Sequence, residues 1–101
     1  MKPEYTGSEI IQREMTITHA DFFRLLPKAL VDCQYEISDL SIHIKFLSGS
    51  INIQLMPEIT RKIAALELPV TCMTFYVENI TQDQMQDFLD RFYLAYQKGG
   101  G

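Results

Sequence analysis

The side chains best equipped for chemistry are few. His19 and His43 are the only histidines, and Cys33 and Cys72 the only cysteines. A protein metal site would draw on these four, yet no two stand at ligand spacing such as CxxC or HxxxH. The same spread argues against a Cys–His nucleophilic pair, because neither cysteine is flanked by groups that lower a thiol pKa. There is no glycine-rich phosphate loop, no GxSxG elbow and no carboxylate pair with a legible acid–base role. The chain therefore reads as non-catalytic, with no metal and no cofactor.

What remains is a polar set on a hairpin. Leu40 to Met56, LSIHIKFLSGSINIQLM, alternates in both arms, and a two-residue turn at Ser48-Gly49 would let Gly49 take the positive φ such turns require. Phe46 then falls opposite Ile51, Ile44 opposite Ile53 and Ile42 opposite Leu55, all on one face. On the other face His43 meets Gln54 and Lys45 meets Asn52. His43, Lys45, Asn52 and Gln54 form the first candidate surface for a ligand or a partner. Alternation also places polar groups on the wet side of any sheet buried on one face, so solvation alone accounts for them too.

The elements that position this hairpin follow from periodicity. Ile11, Met15 and Ile17 share one face of a strand within Glu9–Thr18, with Arg13 the polar exception, acceptable on an edge strand. Helix one starts with Thr18 as cap, Asp21 in a capping-box position and Ile17 stapling Phe22. Phe22, Leu25, Leu26, Ala29 and Leu30 make its stripe, with a kink or restart expected at Pro27. His19 sits in its first turn, where exposure is the ordinary expectation. Tyr35 and Ile37 suggest a short strand before the hairpin. Pro57 to Leu68 admits a short helix or a further meander strand, and short flanking loops favour the strand, with a turn at Glu67 to Pro69. Val70 to Val77 is an interior strand. Helix two opens with Ile80, Thr81, Gln84 and Met85 as staple and capping box, and Met85, Phe88, Leu89, Phe92 and Tyr96 form its stripe. Gly99 is a natural C-cap. Tyr93 and Leu94 widen the apolar arc beyond what one sheet face needs, which makes them a second candidate contact surface.

The expected fold is an α+β two-layer sandwich: an antiparallel sheet with two helices packed on one face, in the order β-α-β-β-(β or α)-β-α. Residues 9–98 form one domain between a flexible 1–8 and a glycine tail, 99–101. That tail invites comparison with carriers activated at a C-terminal Gly-Gly, but it follows a helix, and C-capping already explains Gly99.

At 101 residues, with 47% hydrophobic and 22% charged residues, the chain is long enough for its own core. A net charge of −4 and a pI near 5.0 leave no broad basic footprint for nucleic acid, although Arg61-Lys62 with Arg91 and Lys98 are a candidate local patch. No apolar run reaches membrane-spanning length, and no signal peptide is legible at the start, so no membrane association and a cytoplasmic setting are expected, with both thiols free. Two function classes follow. The first is a non-catalytic accessory or protein-interaction module, engaging an unknown protein partner or itself. The alternative is a small-ligand-binding domain or minor enzyme with a cavity between helices and sheet.

Overall fold

A computed structural model describes residues 8–99. The expected order holds, and the ambiguous segment is a strand: β1 (Ser8–Met15), α1 (His19–Ala29), β2 (Gln34–Ser38), β3 (Ser41–Phe46), β4 (Gly49–Leu55), β5 (Ile59–Ile63), β6 (Leu66–Glu78) and α2 (Gln82–Gly99). The sheet runs β1-β6-β4-β3-β2, antiparallel throughout, with β5 also paired to β6. β1 is an edge strand, and Arg13 is exposed on it. The flexible start assigned to residues 1–8 lies outside the described residues except for Ser8, which already belongs to β1; Gly100 and Gly101 are likewise outside them.

Both helices lie on one face. Phe22, Leu25 and Leu26 from α1 and Met85, Phe88, Leu89, Phe92 and Tyr96 from α2 pack on Ile42, Ile44, Ile51, Ile53, Met73, Phe75 and Val77 of the sheet. Rings meet at the centre, with Phe22 stacked on Tyr96 at 5.3 Å and Phe92 against Tyr96 at 4.9 Å. The Tyr96 hydroxyl donates to the Phe22 carbonyl at 2.8 Å, tying the helices together, and burial pushes its pKa far above the usual phenol value. Both N-caps are as the sequence implies, whereas Gly99, the expected C-cap and start of a glycine tail, still belongs to α2. The Asp21 amide donates to Thr18 Oγ1 at 3.0 Å, while Thr81 and Gln84 exchange both capping-box bonds at 3.0 and 3.1 Å. Helix α1 runs through Pro27 and ends two residues later, so the lost hydrogen bond falls in a last turn rather than restarting the helix.

The hairpin register differs from expectation by two residues. Ile44 pairs with Ile51, Ile42 with Ile53, and Phe46 with Gly49; on the other face His43 meets Asn52 and Lys45 meets Ser50. An even slip leaves every side chain on its expected face. The turn is Leu47-Ser48, with Leu47 at φ 57°, and Gly49 does not have a positive φ. The neighbouring hairpins repeat this device, placing Asp39 (φ 54°) and Ala64 (φ 55°) first in their two-residue loops. The β5–β6 turn is thus Ala64-Ala65, not Glu67 to Pro69.

Gly49 is needed for space. A Cβ there would stand 2.2 Å from the Glu78 carbonyl oxygen and 2.5 Å from that of Asn79, both backbone. Gly49→Ala should therefore cost at least about 2 kcal/mol, because backbone cannot yield as a side chain does. Leu47→Gly should be neutral or stabilising by up to about 1 kcal/mol, since relief of the left-handed strain outweighs the added chain entropy. Denaturant unfolding of both variants checks the assignment, and the reverse ranking would move the turn back to Ser48-Gly49.

Candidate functional site

β6 is thirteen residues long, and only its C-terminal part belongs to the helix-covered sheet. Its first five residues pair with β5 alone, so the two strands project as a ribbon. β4 and β5 run collinearly along β6 with a one-residue discontinuity between them. Pairing ends at Leu55–Met73 and resumes at Ile59–Val70, so Met56, Pro57 and Glu58 oppose only Thr71 and Cys72. This is a β-bulge, a position that tolerates proline. The bulge changes which parity of residue number faces each side. Asn52, Gln54 and Met56 before it share the helix-free side with Ile59, Arg61 and Ile63 after it.

The bulge is clamped from two directions. The Met56 amide donates to the Cys72 carbonyl at 2.9 Å, while Met56's own carbonyl lies 2.9 Å from His19 Nε2. Glu58 Oε1 accepts the His19 backbone N–H at 2.8 Å. A carboxylate from a distant loop thus satisfies an orphan donor at the positive end of α1. His19 is therefore a half-buried strut rather than a free surface group. The ribbon is also tied to the sheet's edge strand: Arg61 Nη1 donates to Glu14 Oε1 at 2.7 Å and Nη2 to Oε2 at 3.3 Å. This two-pronged bond holds the Glu14 carboxyl below the usual carboxylate range.

Of the ten large apolar side chains described as exposed, six share this helix-free side: Ile10, Met56, Ile59, Ile63, Leu66 and Tyr76. Ile63 and Leu66, 52% and 61% exposed, stand directly opposite each other at the ribbon tip. The six gather at two ends along β6, Ile63 and Leu66 at the tip and Ile10 and Tyr76 in the sheet, with Met56 and Ile59 between them beside the buried Val70. Between the two ends, Gln12, Glu14, Met56, Cys72 and Thr74 surround a hollow of about 360 Å³.

The six sequence-derived residues fall into two groups. His43, Lys45, Asn52 and Gln54 do lie together on the helix-free face, beside the apolar stripe. His43 Nδ1 is 2.9 Å from Asn52 Oδ1, and Gln54 is held by Ser41 Oγ and the Leu55 carbonyl, so several of these polar atoms already have partners. Tyr93 and Leu94 belong to the helix layer on the opposite side. Tyr93 packs against the core, edge-on to Phe92 at 5.7 Å, while Leu94 is half exposed. The arc that looked wide is split between core and solvent.

The candidate basic patch is dispersed. Arg61 binds Glu14, Lys62 lies 3.8 Å from Glu67 across the ribbon, and Arg91 pairs with Asp87 on α2. Both cysteines are free. Cys33 packs toward the helix-covered core, where burial raises its thiol pKa, the opposite of nucleophile activation. Cys72 sits on the helix-free side with Sγ 4.0 Å from Glu14 Oε2. Among the described residues, no three His, Cys, Asp or Glu side chains gather as metal ligands.

The Arg61–Glu14 bond gives the ribbon a predictable acid response. Because Glu14's folded pKa is lowered, its contribution is present above the unfolded carboxylate pKa and is lost as pH falls through the depressed folded value. Hydrogen exchange of amides 59–70, corrected for intrinsic rates, should accelerate on acidification through that window. In Arg61→Ala it should already be fast at neutral pH and lose the response. An acid response that persists in Arg61→Ala would assign it to another group.

Compared with protein-family models, curated proteins and solved structures, the chain has no match in any of the three.

Proposed function

We propose that this protein is a non-catalytic interaction module that engages a protein surface through its helix-free side and projecting ribbon. The observation that carries this reading is the gathering of six exposed apolar side chains on one side of β6 and its partners. Singly exposed apolar residues need no explanation, but six gathered on one side of a small sheet and flanked by polar groups point to an association site. Polar groups flank the six in His43, Lys45, Asn52 and Gln54 on one side, and the Arg61–Glu14 pair crosses β6 between its two ends. A two-stranded ribbon is also marginally stable on its own, and burial of Ile63 and Leu66 by a partner supplies what the isolated ribbon lacks.

A photo-crosslinking residue at Ile63, introduced in the intact protein in its host, should give a protein adduct of raised mass. The same residue at Leu94, equally exposed on the helix layer, should give none. Equal adducts from both positions, or none from Ile63, would overturn the reading.

One observation favours a second reading, a small-ligand site. A cleft of about 550 Å³ opens between the end of β1, α1 and the last turns of α2, lined in part by Thr16, Asp21, Arg24, Tyr93 and Gln97. The Tyr93 hydroxyl is buried there without a hydrogen-bond partner among the described residues. Burial raises its pKa, and the Arg13 guanidinium nearby pulls the other way without closing a bond. Removing an unsatisfied buried hydroxyl lifts a penalty of about 1–3 kcal/mol, so Tyr93→Phe should raise the melting temperature of the purified protein. Tyr96→Phe, which discards a made bond, should lower it. If Tyr93→Phe lowers it as well, the hydroxyl has a partner and the case for a ligand there is lost.

A further inference from the structure

β1 is an edge of the sheet, and among the described residues it pairs only with β6. Alternate residues of a strand turn both N–H and C=O to the same neighbour. The Cys72 carbonyl accepts from the Met56 amide, so the even-numbered residues of β6 serve β4 and the odd-numbered ones serve β1. Through the pairing of Met15 with Thr71, Arg13 with Met73, Ile11 with Phe75 and Glu9 with Val77, the odd-numbered residues of β1 spend their backbone groups on β6. Those of Ile10, Gln12 and Glu14 turn to the open edge. The Gln12 carbonyl agrees with this, taking Arg13 Nη1 of its own strand at 2.9 Å where a neighbouring strand would supply an N–H. Strand edges are ordinarily blunted by short length, proline, lysine or a bulge. β1 has none of these, since its eight residues, SEIIQREM, pair without interruption. The guard it does carry is charge on the helix-covered face, and that charge is of both signs.

Glu9 and Arg13 stand on that face about 13 Å apart along the strand, too far to pair with each other. Among the described residues neither joins an ion pair, whereas Glu14 is already held by Arg61. A two-fold axis perpendicular to the sheet beside Ile11 lays a second β1 antiparallel to the first. Glu9 then stands opposite Arg13 of the second copy and Arg13 opposite its Glu9, with Ile11 opposite Ile11 between them. Ile10 meets Gln12, and Ser8 meets Glu14, as the pairs whose N–H and C=O groups face each other, which is the parity the open edge requires. Moving the axis one residue along sets Glu9 against Met15 or against Ile11 and separates the charges. We infer that β1 is a self-association edge, through which two copies of this chain join into one continuous sheet with both helix layers on the same side. Charge selects the occupant, because a second β1 returns the Glu9–Arg13 spacing in reverse order. A cleft of about 420 Å³ between the edge and α2, bordered by Arg13, Gln82 and Gln86, leaves room for the incoming Glu9. This association is independent of the helix-free side proposed above: the ribbons lie past the end of β1 and project from opposite ends of the joined sheet. About 23 Å of paired strand and a two-layer thickness of about 20 Å give roughly 450 Å² per copy. That is below the standard of about 800 Å² per partner, so the dimer is weak and concentration-dependent.

Sedimentation equilibrium of the purified full chain from about 5 to about 500 μM, a range that spans the dissociation constants of a weak dimer, tests this. The weight-average mass should rise with concentration from the 11.7 kDa of one chain toward twice that value. Glu9→Arg and Arg13→Glu each oppose like charges twice across the axis and should weaken association about tenfold or more. The double variant Glu9→Arg, Arg13→Glu restores both opposite-charge pairs and should associate within about threefold of wild type. Gln12→Pro keeps the β6 ladder, because the Gln12 N–H is not part of it, and should abolish association. Leu94→Asp should leave it unchanged. A wild-type protein that stays at one chain mass across the range overturns the inference, as does a mass that climbs beyond two chains. Single charge variants that associate like wild type, or a double variant no better than the singles, overturn it as well. Association kept in Gln12→Pro and lost in Leu94→Asp moves the contact away from β1 and sinks it too.

Discussion

The pairing of β6 with three strands at once is the constraint on which the rest of the structure depends. β1 lies along one side of its C-terminal part, β4 along the other, and β5 continues the line of β4 past the edge of the helix layer. Met73, Phe75 and Val77 thereby become the floor on which both helices pack. The same strand, five residues earlier, becomes half of a ribbon with no helix above it. One continuous strand thus serves as core and as projection, and its alternation carries a single face from one to the other. The bulge at Met56 to Glu58 makes this possible, since without the extra residue Ile59 and Ile63 would turn to the opposite side of the ribbon from Met56.

The bulge also couples the ribbon to the helix layer. Glu58 caps the start of α1, and His19, in the first turn of that helix, reaches back to the Met56 carbonyl. A bulge usually leaves backbone groups unpaired; here a helix terminus, which has unpaired donors of its own, meets it. Each defect satisfies the other. The ribbon's root is therefore tied to the start of α1, while its tip is held by its own ladder and by Arg61 on Glu14. Stability falls along the ribbon's length, and the exposed apolar pairs sit at its weaker end.

Much of this was legible from residue pattern, because helices and a half-buried sheet write their faces into periodicity. The stripes of α1 and α2, both N-caps, the edge position of β1 and the interior position of β6 all follow from spacing. The hairpin turn was misplaced because glycine beside serine is a strong turn signal, whereas Leu47, Asp39 and Ala64 carry no such mark in their left-handed positions. Gly49 is there because Glu78 and Asn79 pass close to it, a contact between residues about thirty apart in sequence that no local pattern reveals. The polar hairpin face was found because alternation is local. The apolar stripe beside it is not legible because Ile10, Ile59, Leu66 and Tyr76 belong to three strands and Met56 to the bulge after β4, and their common side depends on that bulge. Tyr93 was read as surface for a related reason: its helical position is beside the main stripe, and only the placement of β1 and α1 decides that it is covered.

A projecting ribbon also exposes unpaired strand edges, which ordinarily invite pairing with any available chain. Its composition works against that route. Pro69 brings no N–H to either edge, and Arg61, Lys62 and Glu67 place charge along a five-residue ladder too short to template a long pairing. The apolar side chains, by contrast, stand perpendicular to the ribbon plane, on the side that continues the sheet. Edge addition would leave them in water, whereas packing against the face removes them from it. The sequence discourages the indiscriminate mode of strand association and preserves the one that requires a matching surface, and that asymmetry separates an interaction face from an aggregation-prone edge.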